Sequence, residues 1–180
     1  VARYQKPKII PFQTIARTLR SEALPEAERR VAQFARAEME LFKRRIKRQE
    51  FIAFITTPLS HAYLSRKIAA GADSRVMIAT GRYLRKIKMF RRAEGSRSVV
   101  LHIGFPEDAL AFDMYGNVTG FHLWEVALVQ EHGSAAAHIP ARPHWGPHRD
   151  EMAQRAVAVR TRIVHAVVTR VRSKLERLLH

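Results

Sequence analysis

The chain has no cysteine in its 180 residues. That excludes a disulfide framework, a thiolate metal site and a cysteine nucleophile, and it fits a reducing compartment without requiring one. No window approaches the ~18 consecutive apolar residues of a membrane span, so no membrane partner is expected. The N-terminal segment from Val1 to Lys8 carries basic residues but no long apolar stretch, and no signal peptide is expected there. A glycine-rich phosphate loop is also missing: Ala69-Ala70-Gly71-Ala72 is too short and lacks the Lys-Ser/Thr pair. There is no Gly-x-Ser-x-Gly elbow. No acid, base and nucleophile converge in any motif, so neither an enzyme nor a cofactor is expected.

Acidic residues are scarce too. Sixteen Asp+Glu stand against 32 Lys+Arg, a net charge of +16. Such a charge implies an anionic partner, self-association through acidic patches, or both. Its distribution is uneven. Residues 1–97 hold 23 basic and 8 acidic residues, residues 98–148 hold 1 and 5, and residues 149–180 hold 8 and 3. Separated basic and acidic segments allow head-to-tail packing against further copies.

In chain order, residues 1–24 read as an extended arm, with Pro7 and Pro11 around a possible short edge strand at Ile9-Ile10. Pro25, Glu26 and Glu28 suit a helix start. Val31, Phe34, Ala35, Leu41, Phe42 and Ile46 then recur at helical spacing, so a helix is expected from about 25 to 48. Its basic end, Lys43, Arg44, Arg45, Lys47 and Arg48, either complements the helix dipole or faces phosphates. Phe51 to Thr57 is an apolar run, a strand or a continuation of the helix. Ser60 is a good N-cap for a short helix that Gly71 can end. Tyr83 to Phe90 is read as opening the sheet, and Ser98 to Phe105 is the best strand, with the Glu94-Gly95 turn making a hairpin of the two. Asp113 to Gly120 is turn-rich, with Thr119 as a cap for a helical segment from Phe121 to Gln130. His132-Gly133 breaks that segment. Ile139-Pro140-Ala141-Arg142-Pro143 and Pro147 read as a proline arm, 139–147, that serves either as a docking arm or as an ordinary connector. From Arg149 onward, Met152, Ala156, Val159, Ile163, Val167, Val171, Leu175 and Leu178 give one long helix. The fold class is α+β: a small antiparallel sheet with an N-terminal, a central and a long C-terminal helix, in a single domain over 25–180.

Two clusters could in principle hold a metal. Glu107, Asp108 and Asp113 gather after a strand, as turn acids ordinarily do. His132, His138, His144 and His148 crowd the proline stretch, and His144 and His148 are four apart. Pro147 lies between them and no carboxylate follows His144, so these are expected to be loop histidines without a metal. Nucleic acid is the stronger candidate partner, through general electrostatics. No zinc finger, helix-turn-helix or RNP-type aromatic motif is present.

Three stretches together resemble the tailed-bacteriophage virion morphogenesis proteins, the head–tail joining (neck and tail-completion) family. The first is Pro58-Leu59-Ser60 with Leu64, Lys67 and Gly71, leading to Thr80-Gly81-Arg82-Tyr83-Leu84 and Ile87. The second is Val126 to Gly133, similar to the family's helix ending in a Glu-x-Gly step. The third is Ile139-Pro140-Ala141-Arg142-Pro143 followed by the long helix. Family members commonly carry Pro-Phe where this chain has Pro143-His144, and Gly-Thr where it has Gly133-Ser134; Tyr83 adds a residue between Gly81-Arg82 and Leu84.

The resemblance implies a non-enzymatic structural protein of the virion, assembled in the host bacterial cytoplasm. It implies a homo-oligomer, a hexameric ring at the head–tail junction. Neck, connector and tail proteins would be neighbours, and phage DNA would pass through the lumen. Ile139, Pro140, Arg142, Pro143 and Glu131 are then expected at a subunit interface, with Arg142 anchoring the arm. Lys43, Arg44, Arg45, Lys47, Arg48, Arg82, Arg85, Lys86, Arg91 and Arg92 are expected to face DNA. A free basic DNA- or RNA-binding protein is the alternative.

Overall fold

A computed structural model describes residues 10–55, 57–75, 81–94 and 98–179. The chain is α+β, and it divides into two compact units, 35–153 and a second formed by 1–34 with 154–180. Ile9, Thr80 and the Gly95-Ser96 turn lie outside the described residues, as does the side chain of Arg92.

In the segment expected to be an extended arm, the described residues are helical from Phe12 onward. Helix α1 spans Phe12–Thr18, a π-helical turn spans Leu19–Ala23, and α2 spans Leu24–Lys47. Pro25 thus lies in the first turn of α2, as expected, but the chain enters that helix from a π turn rather than from an extended arm. Its missing N–H and its ring would break a regular α-helix. The wider turn just before it takes up the misfit. In the unit formed by the chain ends, Thr18 and Val171 are buried, and Glu22 of the π turn accepts from Arg170 at 3.0 Å.

The other unit carries the core. Gln49 in the left-handed region (φ 58°) ends α2, and residues 50–54 close into a 3-10 turn rather than a strand. That turn drops Phe51 against Phe42 and Ile46, which with Leu84 and Ile87 form a buried cluster. Helix α3, His61–Ala69, starts where Ser60 Oγ accepts from the Tyr63 N–H at 3.2 Å. Of Tyr83 to Phe90, expected to open the sheet, only 88–90 are strand, and residues 83–86 instead lie in a short helix, α4 (Arg82–Lys86). Gly81, at φ 70°, sits just before it. Strand β1 follows at Lys88–Glu94 and pairs antiparallel with β2, Ser98–Gly104, from Lys88↔Gly104 to Glu94↔Ser98.

A second hairpin follows. β3 (Leu110–Phe112) pairs with β4 (Val118–His122). Asp113 builds the turn: Oδ1 accepts from the N–H groups of Tyr115 (2.9 Å) and Asn117 (2.8 Å). Thr119 belongs to this hairpin and does not cap the next helix. Its hydroxyl donates to the Ala111 carbonyl at 3.2 Å, across the strand pair. Helix α5, Leu123–His132, starts instead at His122, whose N–H donates to Glu125 Oε2 at 2.6 Å. The long helix α6 runs Trp145–Leu179, four residues earlier than expected. Pro147 thus lies in its first turn, where no N–H is needed, and the proline arm ends before Trp145.

Candidate assembly site

The site is built on Glu131, in the last turn of α5. Its Oε2 accepts from the backbone N–H groups of His144 (2.8 Å) and Trp145 (2.9 Å), and its Oε1 accepts from Gly146 (2.8 Å). Those three N–H groups are the open donors at the start of α6. The carboxylate also meets the positive end of that helix's dipole. Burial works against the charge, but the three N–H bonds outweigh it, and the carboxyl sits below its usual range. Glu131 is therefore an internal cap that joins the end of α5 to the start of α6. The fit excludes side chains at two places. A Cβ on Gly146 would lie 2.7 Å from Glu131 Oε1. A Cβ on Gly133 (φ 76°) would lie 2.8 Å from both the Ala141 nitrogen and the Ile139 carbonyl oxygen.

Between these helices the chain folds back on itself. Ser134 and Ile139 exchange backbone hydrogen bonds of 2.7 and 2.9 Å, closing a tight loop. Ile139, Pro140 and Pro143 are half-buried, and the Arg142 N–H donates to the Gln130 carbonyl at 2.5 Å. The arm is thus strapped along the end of its own α5.

The two histidines expected in a loop are core residues. His144 is fully buried and His148 is 4% exposed. The His144 ring lies parallel to Phe42 at 5.9 Å, and His148 lies 4.7 Å from the same ring. The Arg142 carbonyl, 3.0 Å from His144 Nδ1, can only accept, which puts the proton on Nδ1. Nε2 then accepts from the Tyr83 hydroxyl at 2.7 Å, and Tyr83 accepts from Trp145 Nε1 at 3.0 Å. Burial holds His144 below the ordinary histidine range, against the opposing pull of the Arg142 carbonyl and Glu131. Burial likewise pushes the Tyr83 hydroxyl up. Both groups stay neutral, as hydrogen-bonded core members. His148 faces Glu38 at 3.7 Å. Among the described residues, no three His, Cys, Asp or Glu side chains gather as a metal site would need.

Beside the arm lies a cavity of about 790 Å³. Its apolar wall includes Leu59, Tyr63, Phe112, Phe121, Val126 and Ile139, and its charged lining is Arg66, Lys67, Arg82 and Arg142, with no carboxylate among the described lining residues. Lys67 is almost fully buried and donates to the Arg75 carbonyl at 2.6 Å. Desolvation holds its pKa below the usual lysine value; nearby Asp73 opposes this, while Arg142 and Arg75 add to it. Arg82 lies over the Phe112 ring at 4.0 Å. Arg142, the single basic residue between 98 and 148, keeps a buried Nε without an acceptor. Gln130 Oε1 is buried without a donor.

The residues expected to face DNA separate into two sets. Arg45 is structural. It makes a two-bond pair with Glu151 (2.8 and 2.9 Å), bonds Glu50 at 3.1 Å, and covers the Phe51 ring at 4.6 Å. Arg82 is taken up at the cavity, and Lys43 pairs with Glu40 at 3.3 Å. Arg48 is exposed, 3.9 Å from Glu50. Arg44, Lys47, Arg85, Lys86 and Arg91 are also exposed. Sequence reasoning missed the structural roles of Arg45 and His144, and the signal for each was faint: an arginine one turn before an apolar 3-10 segment, and a histidine directly after the last proline of the arm.

No family model matches this chain, and no curated protein or solved structure matches it significantly.

Proposed function

We propose that this chain is a structural subunit of a tailed-phage virion, a ring-forming neck or tail-completion component at the head–tail junction, with DNA passing through its lumen. One observation carries the reading. The three stretches that resemble the joining family are far apart in sequence, yet they line one cavity. Pro58, Leu59 and Gly81 come from the first, Val126 and Gln130 from the second, and Ile139 and Arg142 from the third. Convergence on a cation-lined cleft is what an assembly socket requires.

The charge fits the same reading. The exposed cations on α2 and α4, Arg44, Lys47, Arg85 and Lys86, suit a lumen wall that tolerates DNA of any sequence. The test is genetic. Phage carrying a deletion of this gene should yield DNA-filled heads and tails that do not join. Normal tailed particles from the deletion would sink the proposal.

A further inference from the structure

We infer that the cation-lined cavity receives the Pro106–Asp108 turn of a second copy of this chain. This rests on the ring-forming reading above and names the contact that would close the ring.

The cavity states what its occupant must offer. Among the described residues its charged lining is wholly cationic, and Arg66 is exposed and Arg142 half-buried there, so the cleft favours negative charge. The apolar wall calls for a small hydrophobic body. A volume of about 790 Å³ falls in the range of clefts that enclose a small ligand or a loop tip, roughly 300–1,000 Å³.

The same chain carries a segment of that description. In a protein of net charge +16, most acids are engaged internally: Glu26 by Arg29 and Arg30, Asp73 by Arg75, Glu151 by Arg45, Glu131 by the start of α6. Glu107 and Asp108 are exposed and adjacent. Among the described side chains they are the acids that engage no cation or N–H of their own chain. Their turn is held in place beforehand. The Ala109 N–H donates to the Pro106 carbonyl at 3.1 Å, Ala109 is buried, and its own carbonyl accepts from Leu123 at 2.7 Å. A preordered acidic turn loses little conformational freedom on docking. Pro106 supplies the apolar body.

The turn residues do not line the cavity of their own chain. Socket and plug are therefore different surfaces of one molecule. A contact of that kind is head-to-tail, and it propagates until a ring closes or a filament grows.

The test uses the full chain without nucleic acid, in sedimentation velocity across a concentration series. Two variants are compared with wild type: Arg142→Glu, and the pair Glu107→Lys with Asp108→Lys. Each alone should weaken association by about tenfold or more, because like charges then face each other. Mixing the two should regain association, since the reversed socket of one accepts the reversed plug of the other. The turn variant changes exposed side chains only, so its melting temperature should match wild type; it keeps the test valid even if Arg142→Glu folds poorly. The inference is overturned by a turn variant that associates like wild type, by a mixture of folded variants that does not regain association, or by a wild type that stays monomeric throughout. Rings that persist in the turn variant would refute this docking while leaving the structural-subunit reading intact. Normal joining in the deletion phage would refute that reading whatever the turn does.

Discussion

At the scale of single residues, Glu131 decides how the site is held. It satisfies three backbone donors with one carboxylate, and bonds to a charged acceptor are each worth more than neutral ones. Glu131→Ala should lower unfolding free energy by about 3 kcal/mol. Gly146→Ala should cost about 1–3 kcal/mol by pushing that carboxylate off its donors. The two should not add: in the Glu131→Ala background, Gly146→Ala should be nearly neutral, because the group it displaces is gone. Chemical denaturation of the four proteins checks the cycle, and full additivity would contradict the cap. His144 gives a pH signature. Its folded pKa is depressed by burial, so it stabilises above the ordinary histidine value of 6.5, and that contribution is lost as pH falls below it. The slope approaches about 1.4 kcal/mol per pH unit. Glu131, also depressed, loses its contribution only below its ordinary value of 4.5, in a separate window. His144→Phe should flatten the pH dependence between about 6.5 and 5 relative to wild type, read from melting curves; an unchanged slope would contradict the neutral, buried assignment. None of this was visible in the sequence. Glu131 stood there as the acid of a Glu-x-Gly step, and nothing in its neighbours marked the helix start 13 residues on as its partner.

At the scale of elements, the sequence was readable wherever a local signal sufficed. The Ser60 cap, strand β2, the Gly133 stop and the long apolar stripe of α6 all lie where their patterns placed them. It was unreadable where two elements share the determining group. Thr119 satisfied the cap pattern, but the β3–β4 pairing claims its hydroxyl. Phe51 to Thr57 read as either a strand or a continuation of the helix because nothing local reports the left-handed Gln49 that turns the chain first. The helical segment ahead of Pro25 went unread because a π turn has no composition signal of its own. Gly133 is the element boundary most open to test. With φ 76° and 2.8 Å to two backbone atoms of the arm, Gly133→Ala strains the backbone and forces the arm away from α5. A loss of about 2–4 kcal/mol is expected. A change below about 0.5 kcal/mol, the ordinary surface value, would mean the arm is not strapped there.

At the scale of the whole molecule, the charge and the socket are separate features with separate tests. Exposed cations act through salt-dependent attraction, so Arg44→Ala, Lys47→Ala, Arg85→Ala and Lys86→Ala should each reduce the slope of log affinity for duplex DNA against log salt by about 0.9 or less, without changing stability. Arg45→Ala should do the reverse. It breaks the pair with Glu151 and the stack on Phe51, so stability falls while the slope holds. The central claim is that the chain assembles with itself through surfaces of its own. Electron microscopy of the purified protein at high salt, free of nucleic acid, addresses it most directly. The account predicts closed rings of uniform subunit number with an open lumen; a monodisperse monomer under those conditions, across the whole concentration range, would contradict it.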